Sequence, residues 1–262
     1  MVDFQKKERY DFRDLEQVMA LLRAPGGCPW DREQTHQSIR RNMLEEAYEV
    51  VEAIDEQSPE HLQEELGDVL LQVVFHACMA QEKGWFNLDD VVNGVCQKLV
   101  FRHPHVFGDV VADDTAKALN AWDDQKKEEK GQKTAGDTLD AVARSLPALM
   151  RAEKIQDKAR KAGFDWNETG FAVEKLSEEV EELKQAIREQ SNTEEELGDV
   201  LFAAAKVGRF LGHDSEETLH GTCEKFIRRF RGVEELLAGQ SMKEVPLAQL
   251  EELWNQAKKQ ER

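Results

Sequence analysis

Apolar residues recur at helical spacing along nearly the whole chain, from Leu15, Val18, Met19 and Leu22 near one end to Leu219, Cys223, Phe226, Ile227 and Phe230 near the other. No run alternates as a half-buried strand does. The pattern predicts helices over 14–23, 41–57, 60–83, 88–101 and 115–130, then over 146–161, 171–190, 193–211, 215–238 and 247–261. Residues 69–80 are apolar around most of the helix circumference, as expected of a helix enclosed by neighbours, and the later segment 200–210 is slightly more polar. An all-α fold follows. Residues 126–138 are charged, contain glycine and lack apolar periodicity, which marks an exposed linker. The expected organisation is an N-terminal domain over 14–130, a linker over 131–145 and a C-terminal domain over 146–262.

The two sets of five helices are related. Glu45-Glu46-x-x-Glu49 followed by Glu64-Glu65-Leu66-Gly67-Asp68 returns as Glu178-Glu179-x-x-Glu182 followed by Glu195-Glu196-Leu197-Gly198-Asp199. The offset is 133 from Glu45 to Glu178 and 131 from Asp68 to Asp199, so the intervening loop has lost only two residues in the second copy. Such agreement indicates an internal duplication into two tandem helical bundles. Other blocks recur with the acids: Lys98-x-x-x-Arg102 with Lys225-x-x-x-Arg229, and Trp122-x-x-x-Lys126 with Trp254-x-x-x-Lys258. Ahead of each acidic helix stands a Gly and Trp block, Gly27-Cys28-Pro29-Trp30-Asp31 and Gly163-Phe164-Asp165-Trp166.

Residues three and four apart share a helical face, so the carboxylates of Glu178, Glu179 and Glu182 point to one side, as do those of Glu196 and Asp199. The connection around Gln190 to Thr193 is short enough to make these helices antiparallel neighbours. Four or five carboxylates then converge, and Mg²⁺, which takes about six oxygen ligands and is held by a few carboxylates with waters and substrate phosphates, suits such a set. The competing reading is a solvated acidic surface. Against it, like charges at this spacing repel, and the repeat keeps the carboxylates while changing neighbours such as Tyr48 to Glu181 and Glu52 to Gln185. The Lys/Arg pairs fit phosphate oxygens and otherwise read as surface cations. The Trp residues of the Trp/Lys pairs either stack on a base or anchor a terminal helix, while the Gly and Trp blocks either fix the entry of the chain into the helix or line a nucleotide pocket.

Charge and cysteine content narrow the partners. Asp plus Glu number 53 against 35 Lys plus Arg, and a net charge of −18 excludes nonspecific attraction to nucleic acid or an anionic membrane. Cys28, Cys78, Cys96 and Cys223 form no Cys-x-x-Cys pair and read as reduced thiols of a cytoplasmic protein. The longest apolar stretch is broken by Gln72 and His76 and is too short to span a bilayer. Glu33-x-x-His36 and Glu217-x-x-His220 suggest a di-iron bundle, but Glu168 in the second half is followed by Thr169-Gly170, so the first has no counterpart there. His103-Pro104-His105 reads as a loop after a helix. With no P-loop or dinucleotide fingerprint, nucleotide binding would rest on metal and side chains.

EExxE, ExxGD and KxxxR, twice in one chain, with Cys28-Pro29-Trp30-Asp31 and Arg102-His103-Pro104-His105-Val106-Phe107, closely resemble the MazG nucleoside triphosphate pyrophosphohydrolases of the all-α NTP pyrophosphatase superfamily. The resemblance covers nearly the whole chain. It implies bundles completed by homodimerisation and Mg²⁺-dependent hydrolysis of NTPs and dNTPs to monophosphate and pyrophosphate, with Mn²⁺ as a substitute metal. Carried over by motif, the metal ligands are Glu178, Glu179, Glu182, Glu196 and Asp199 in the second half and Glu45, Glu46, Glu49, Glu65 and Asp68 in the first. Glu178, Glu179, Glu182, Lys225 and Arg229 are the expected catalytic set. Nucleotide contacts are expected at Trp166, Lys225, Arg229, Trp254 and Lys258, and in the first half at Trp30, Lys98, Arg102, Trp122 and Lys126. Because Lys225, Arg228, Arg229 and Arg231 outnumber the cations of the aligned first-half stretch, the second half is expected to be the main site and the first weaker or regulatory. The spacing does not say which carboxylate accepts the water's proton. The alternative function is a non-catalytic acidic helical scaffold.

Overall fold

Helix α1 (Phe12–Arg23) begins at a capping box, in which Asp11 accepts from the N–H groups of Arg13 and Asp14 while the Asp14 carboxylate accepts from the N–H of Asp11. The computed structural model describes residues 4–110, 113–166 and 168–260, and no described residue lies in a strand. The chain divides into two compact units, Met1–Lys126 and Lys127–Arg262.

In the first unit α1 is followed by α2 (Pro29–Glu33), α3 (Arg40–Asp55), α4 (Pro59–Glu82), α5 (Leu88–Arg102), α6 (Pro104–Phe107) and α7 (Thr115–Glu129), the last running past the division. Helix α4 is the hub and packs on α1, α3 and α5. Its inward residues Val74, Phe75, Ala77 and Met79 join Met19, Ile39 and Leu88 in one core, with Leu15, Leu22 and Leu71 packed around it. The largely apolar circumference read from residues 69–80 thus has its cause in the three helices around it. Arg23 closes one edge, its side chain on Glu82 at 2.6 Å and its guanidinium 5.4 Å from the Phe75 ring centroid.

The second unit contains α8 (Ala135–Asp140), α9 (Ala148–Lys161), α10 (Thr169–Glu189), α11 (Thr193–Leu211), α12 (Ser215–Leu236), a 3₁₀ turn (Met242–Glu244) and α13 (Leu247–Gln260). Helices α10 and α11 form the closest pair, α9 packs on α8, α11 and α12, and α12 packs on α13. The apolar core gathers Val233, Leu237, Val245 and Ala257 with Leu250, Leu253 and Trp254. On α11 only Ala203 and Ala205 are fully buried, in keeping with the more polar character of that segment.

All ten predicted helices are present. The segment expected as a linker over 131–145 is different: it holds α8, which starts at a further capping box, between Thr134 and Asp137. Six residues are too few to reveal apolar periodicity, and only the Thr-x-x-Asp cap signals the helix. Helices α2 and α6 escape the periodicity for the same reason, each announced only by a Pro at its start.

The duplication also repeats a turn. Gln57, between α3 and α4, and Gln190, between α10 and α11, both take left-handed backbone, with φ of 54° and 52°. They are 133 residues apart, the offset of the acidic blocks. Each reverses the chain in a short loop, so the two helices that carry the carboxylates run antiparallel side by side. Among the described residues no helix is long and apolar enough to cross a membrane.

Candidate metal centre

Each antiparallel pair brings carboxylates together. In the first unit Glu46 and Glu49 from α3 and Glu65 from α4 can place one oxygen each within 4.8 Å of the others, and in the second Glu179 from α10 does so with Glu196 and Asp199 from α11. The fourth member of each set is close by. Asp68, one turn after Glu65, acts electrostatically on Glu46, and Glu182, one turn after Glu179, hydrogen-bonds with it. Superimposed by the duplication, the two groups are one four-carboxylate arrangement built twice.

The crowding shows in the acid strengths. The Glu46 carboxyl is pushed above its ordinary value by burial and by the charges of Asp68 and Glu49, while Gln72 pulls the other way. Glu182 is pushed up by its hydrogen bond with Glu179, by desolvation and by the charge of Glu179. Carboxylates held this close gain from a cation. The fit is supported further by Gln72, which donates to Glu46 at 3.4 Å while its own Oε1 is buried without a protein partner. This hard oxygen set suits Mg²⁺ or Mn²⁺ rather than a softer ion.

Glu45 and Glu178 stand apart from these groups. A step of one residue turns the helix by about 100°, which leaves the first Glu of each pair outside the set whose oxygens converge. Glu45 accepts from Arg41 at 2.8 Å, and Glu178 accepts from Lys175 at 2.7 Å. Four residues escaped the sequence reading. Lys175 reaches Glu179 at 2.9 Å, His61 reaches Glu65 at 3.2 Å, Asn192 donates to Glu196 at 2.9 Å, and Gln72 touches Glu46. The first three lie four residues before the carboxylate they contact, a spacing visible in the sequence. The His61 imidazole is pushed above its ordinary pKa, first by its hydrogen bond to Glu56.

Trp166 lies farther along the same face of α11. It lines a cleft of about 450 Å³ with Arg160, Gly163, Asp165, Arg209 and Phe210, and the Lys206 ammonium sits 3.6 Å from its ring centroid. Lys206 is seven residues after Asp199, about two turns or ~10 Å along the helix axis. Burial of Asp165 opposes its charge, yet hydrogen bonds from Arg209 and the Trp166 N–H hold the carboxyl below its usual value. In the first unit the matching Trp30 is more than half exposed and stands edge-on to Phe75 at 6.5 Å, seven residues after Asp68.

The remaining expected contacts divide. Lys225 and Arg229 are half-buried on α12, whereas Lys98 is exposed on α5. Arg102 is buried with its guanidinium 5.2 Å from the Trp122 ring, and Lys126 approaches the same ring at 4.5 Å. Trp254 packs on Phe226 at 5.0 Å within the second core, and Lys258 is exposed. His36 does not carry Glu33 toward a metal group: its Nδ1 lies 2.8 Å from the Nδ1 of His76, and its ring stacks on Trp85.

The profile of the MazG nucleotide pyrophosphohydrolase domain matches residues 34–107 and 171–233, more than half of the chain. The chain belongs to the MazG nucleotide pyrophosphohydrolase family. Each matched stretch of this MazG chain contains one complete carboxylate group. The nucleoside triphosphate pyrophosphohydrolase/pyrophosphatase MazG of Thermotoga maritima is 43% identical over 249 residues, covering 94% of this chain and 95% of the relative. The nucleoside triphosphate pyrophosphohydrolase of Escherichia coli is 47% identical over 251 residues, covering 93% and 95%. As a MazG protein it is a hydrolase of acid anhydrides.

Proposed function

We propose that this protein hydrolyses NTPs and dNTPs to the monophosphate and pyrophosphate in the cytoplasm, as an Mg²⁺-dependent homodimer that controls the nucleotide pool, with its main site in the second unit. The observation that carries the reading is the doubled four-carboxylate group, each copy inside one family-matched stretch. The names of the Thermotoga and Escherichia relatives support a nucleoside triphosphate as substrate.

Glu179, Glu182, Glu196 and Asp199 would hold the cation, as would Glu46, Glu49, Glu65 and Asp68 in the first unit. A divalent cation there supplies Lewis-acid charge to phosphate oxygens, which lets a strongly acidic protein bind a polyanion. Lys225 and Arg229 place positive charge on α12 for the departing pyrophosphate. A group carboxylate accepts the proton as water adds to the α-phosphorus and the bond to the bridging oxygen breaks; any of the four is chemically capable. Trp166 packs on Lys206, two turns beyond Asp199 on α11, and would take the base of a nucleotide whose phosphates reach the carboxylates. Exposed apolar stripes, such as Leu44, Tyr48 and Val51 on α3 and Val91, Val95 and Leu99 on α5, are what a bundle closed by a second copy would cover.

Product analysis with Mg²⁺ and a panel of NTPs and dNTPs tests the reaction. Monophosphate with pyrophosphate, abolished by EDTA, is the expected result. Diphosphate with orthophosphate, or turnover indifferent to EDTA, refutes it.

A further inference from the structure

The duplication kept the carboxylates but exchanged the groups beside them. Four residues before Glu179 stands Lys175, and four residues before Glu46 stands Asn42, at the offset of 133 that relates the acidic blocks. The exchange reaches the group itself. Lys175 Nζ lies 2.7 Å from Glu178 Oε1 and 2.9 Å from Glu179 Oε1, and Glu179 is the most buried carboxylate of its group. On α3 the nearby cation, Arg41, instead holds Glu45 at 2.8 Å, outside the first group. On the second helix of each pair the exchange is reversed, with His61 against Glu65 in the first unit and the neutral Asn192 against Glu196 in the second.

We infer that Lys175 is a built-in counter-cation of the second carboxylate group, which competes with the divalent ion for Glu179 and thereby lowers the metal affinity of that group. This rests on reading the group as a metal centre. The ammonium is held between two carboxylates, at 2.7 Å from one and 2.9 Å from the other, so it does not leave without a charge cost. A divalent ion that takes Oε1 of Glu179 must break or share the 2.9 Å contact, and one that takes Oε2 still faces a positive charge on the same carboxylate. The half-exposed position of Lys175 lets water screen part of that repulsion. Lys175 is therefore a positioning residue that sets how readily metal loads, and Asn42 leaves the first group without this competitor.

The test is an Mn²⁺ binding isotherm, read from the electron paramagnetic resonance of free Mn²⁺, on the full chain carrying Glu46→Gln and Glu49→Gln to silence the first group. In that background Lys175→Gln is expected to tighten Mn²⁺ binding about tenfold, and Lys175→Arg to leave it unchanged. In the metal-free protein Lys175→Gln should lower Tm, since Glu179 loses its partner, and should enlarge the rise in Tm that Mn²⁺ produces. A purely structural lysine would give the first shift without the second. Mn²⁺ binding that persists but is unchanged or weakened by Lys175→Gln overturns the inference alone. No binding to any variant overturns the metal reading of the group and the inference with it.

Discussion

Asp199→Asn is expected to lower kcat by roughly 100-fold or more, while Asp68→Asn leaves most of the turnover in place. Each metal-linked charge interaction in a transition state is worth several kcal/mol, and about 1.4 kcal/mol is tenfold in rate. Asn keeps the shape and one oxygen of Asp199 but removes the charge, so the loss reports charge at the group rather than collapse of α11. Asp68 occupies the same place in the first group, yet its surroundings differ. Arg102, the first-unit counterpart of Arg229, is buried against Trp122, and Lys98 is exposed, whereas Lys225 and Arg229 are both half-buried on α12 beside α11. Pyrophosphate release by the two variants, measured side by side with saturating Mg²⁺, decides the matter. Equal losses would contradict a main site in the second unit.

Glu46→Gln and Glu182→Gln are expected to stabilise the metal-free protein and to destabilise it relative to wild type when Mg²⁺ is present. Both carboxyls have folded-state pKa values above the ordinary 4.5, Glu46 through burial and its charged neighbours, Glu182 through its bond with Glu179. A raised carboxyl pKa means the folded state binds the proton more readily than the unfolded chain. The cost of the charge is therefore present in full above the folded pKa, and metal-free stability rises as pH falls from there toward 4.5. Gln removes that cost at neutral pH, so Tm without metal goes up and this part of its pH dependence flattens. With metal the sign reverses: binding to the folded state at 100 times Kd adds about 2.7 kcal/mol, which a weakened group forfeits. Thermal melts at pH 7 with EDTA and with excess Mg²⁺ read both effects. A Gln variant less stable than wild type in EDTA would show that the carboxylates are placed for folding and not for a cation.

How much of this was legible in the sequence depended on length and on rotation. Helices of 12 or more residues, such as α3, α4, α10 and α11, gave repeated apolar faces and were found near their observed limits. Helices α2, α6 and α8 span only five, four and six residues, less than two full turns, and carry no face to read. The pairing of α3 with α4 and of α10 with α11 was legible because the loops are short and the acids repeat. The step from five acids to four was not. Spacing places Glu45, Glu46 and Glu49 on one broad side, and only the packing of α3 on α4 shows that Glu46 and Glu49 meet Glu65 while Glu45 turns to Arg41. Trp254 had two readings, and its contact with Phe226 in a core fixed by α12 and α13 depends on tertiary packing no local pattern contains. Lys175 and His61 stand at a helical spacing from their carboxylates, but each is replaced by Asn in the other half, so the internal repeat carries no signal for them.

Hydrolysis of ATP in water enriched in ¹⁸O, with Mg²⁺ and single turnover of enzyme in excess, bears most directly on the chemistry assigned to the carboxylate groups. Addition of water at the α-phosphorus puts the label in AMP and leaves pyrophosphate unlabelled. Label in pyrophosphate, or in orthophosphate beside ADP, would contradict it.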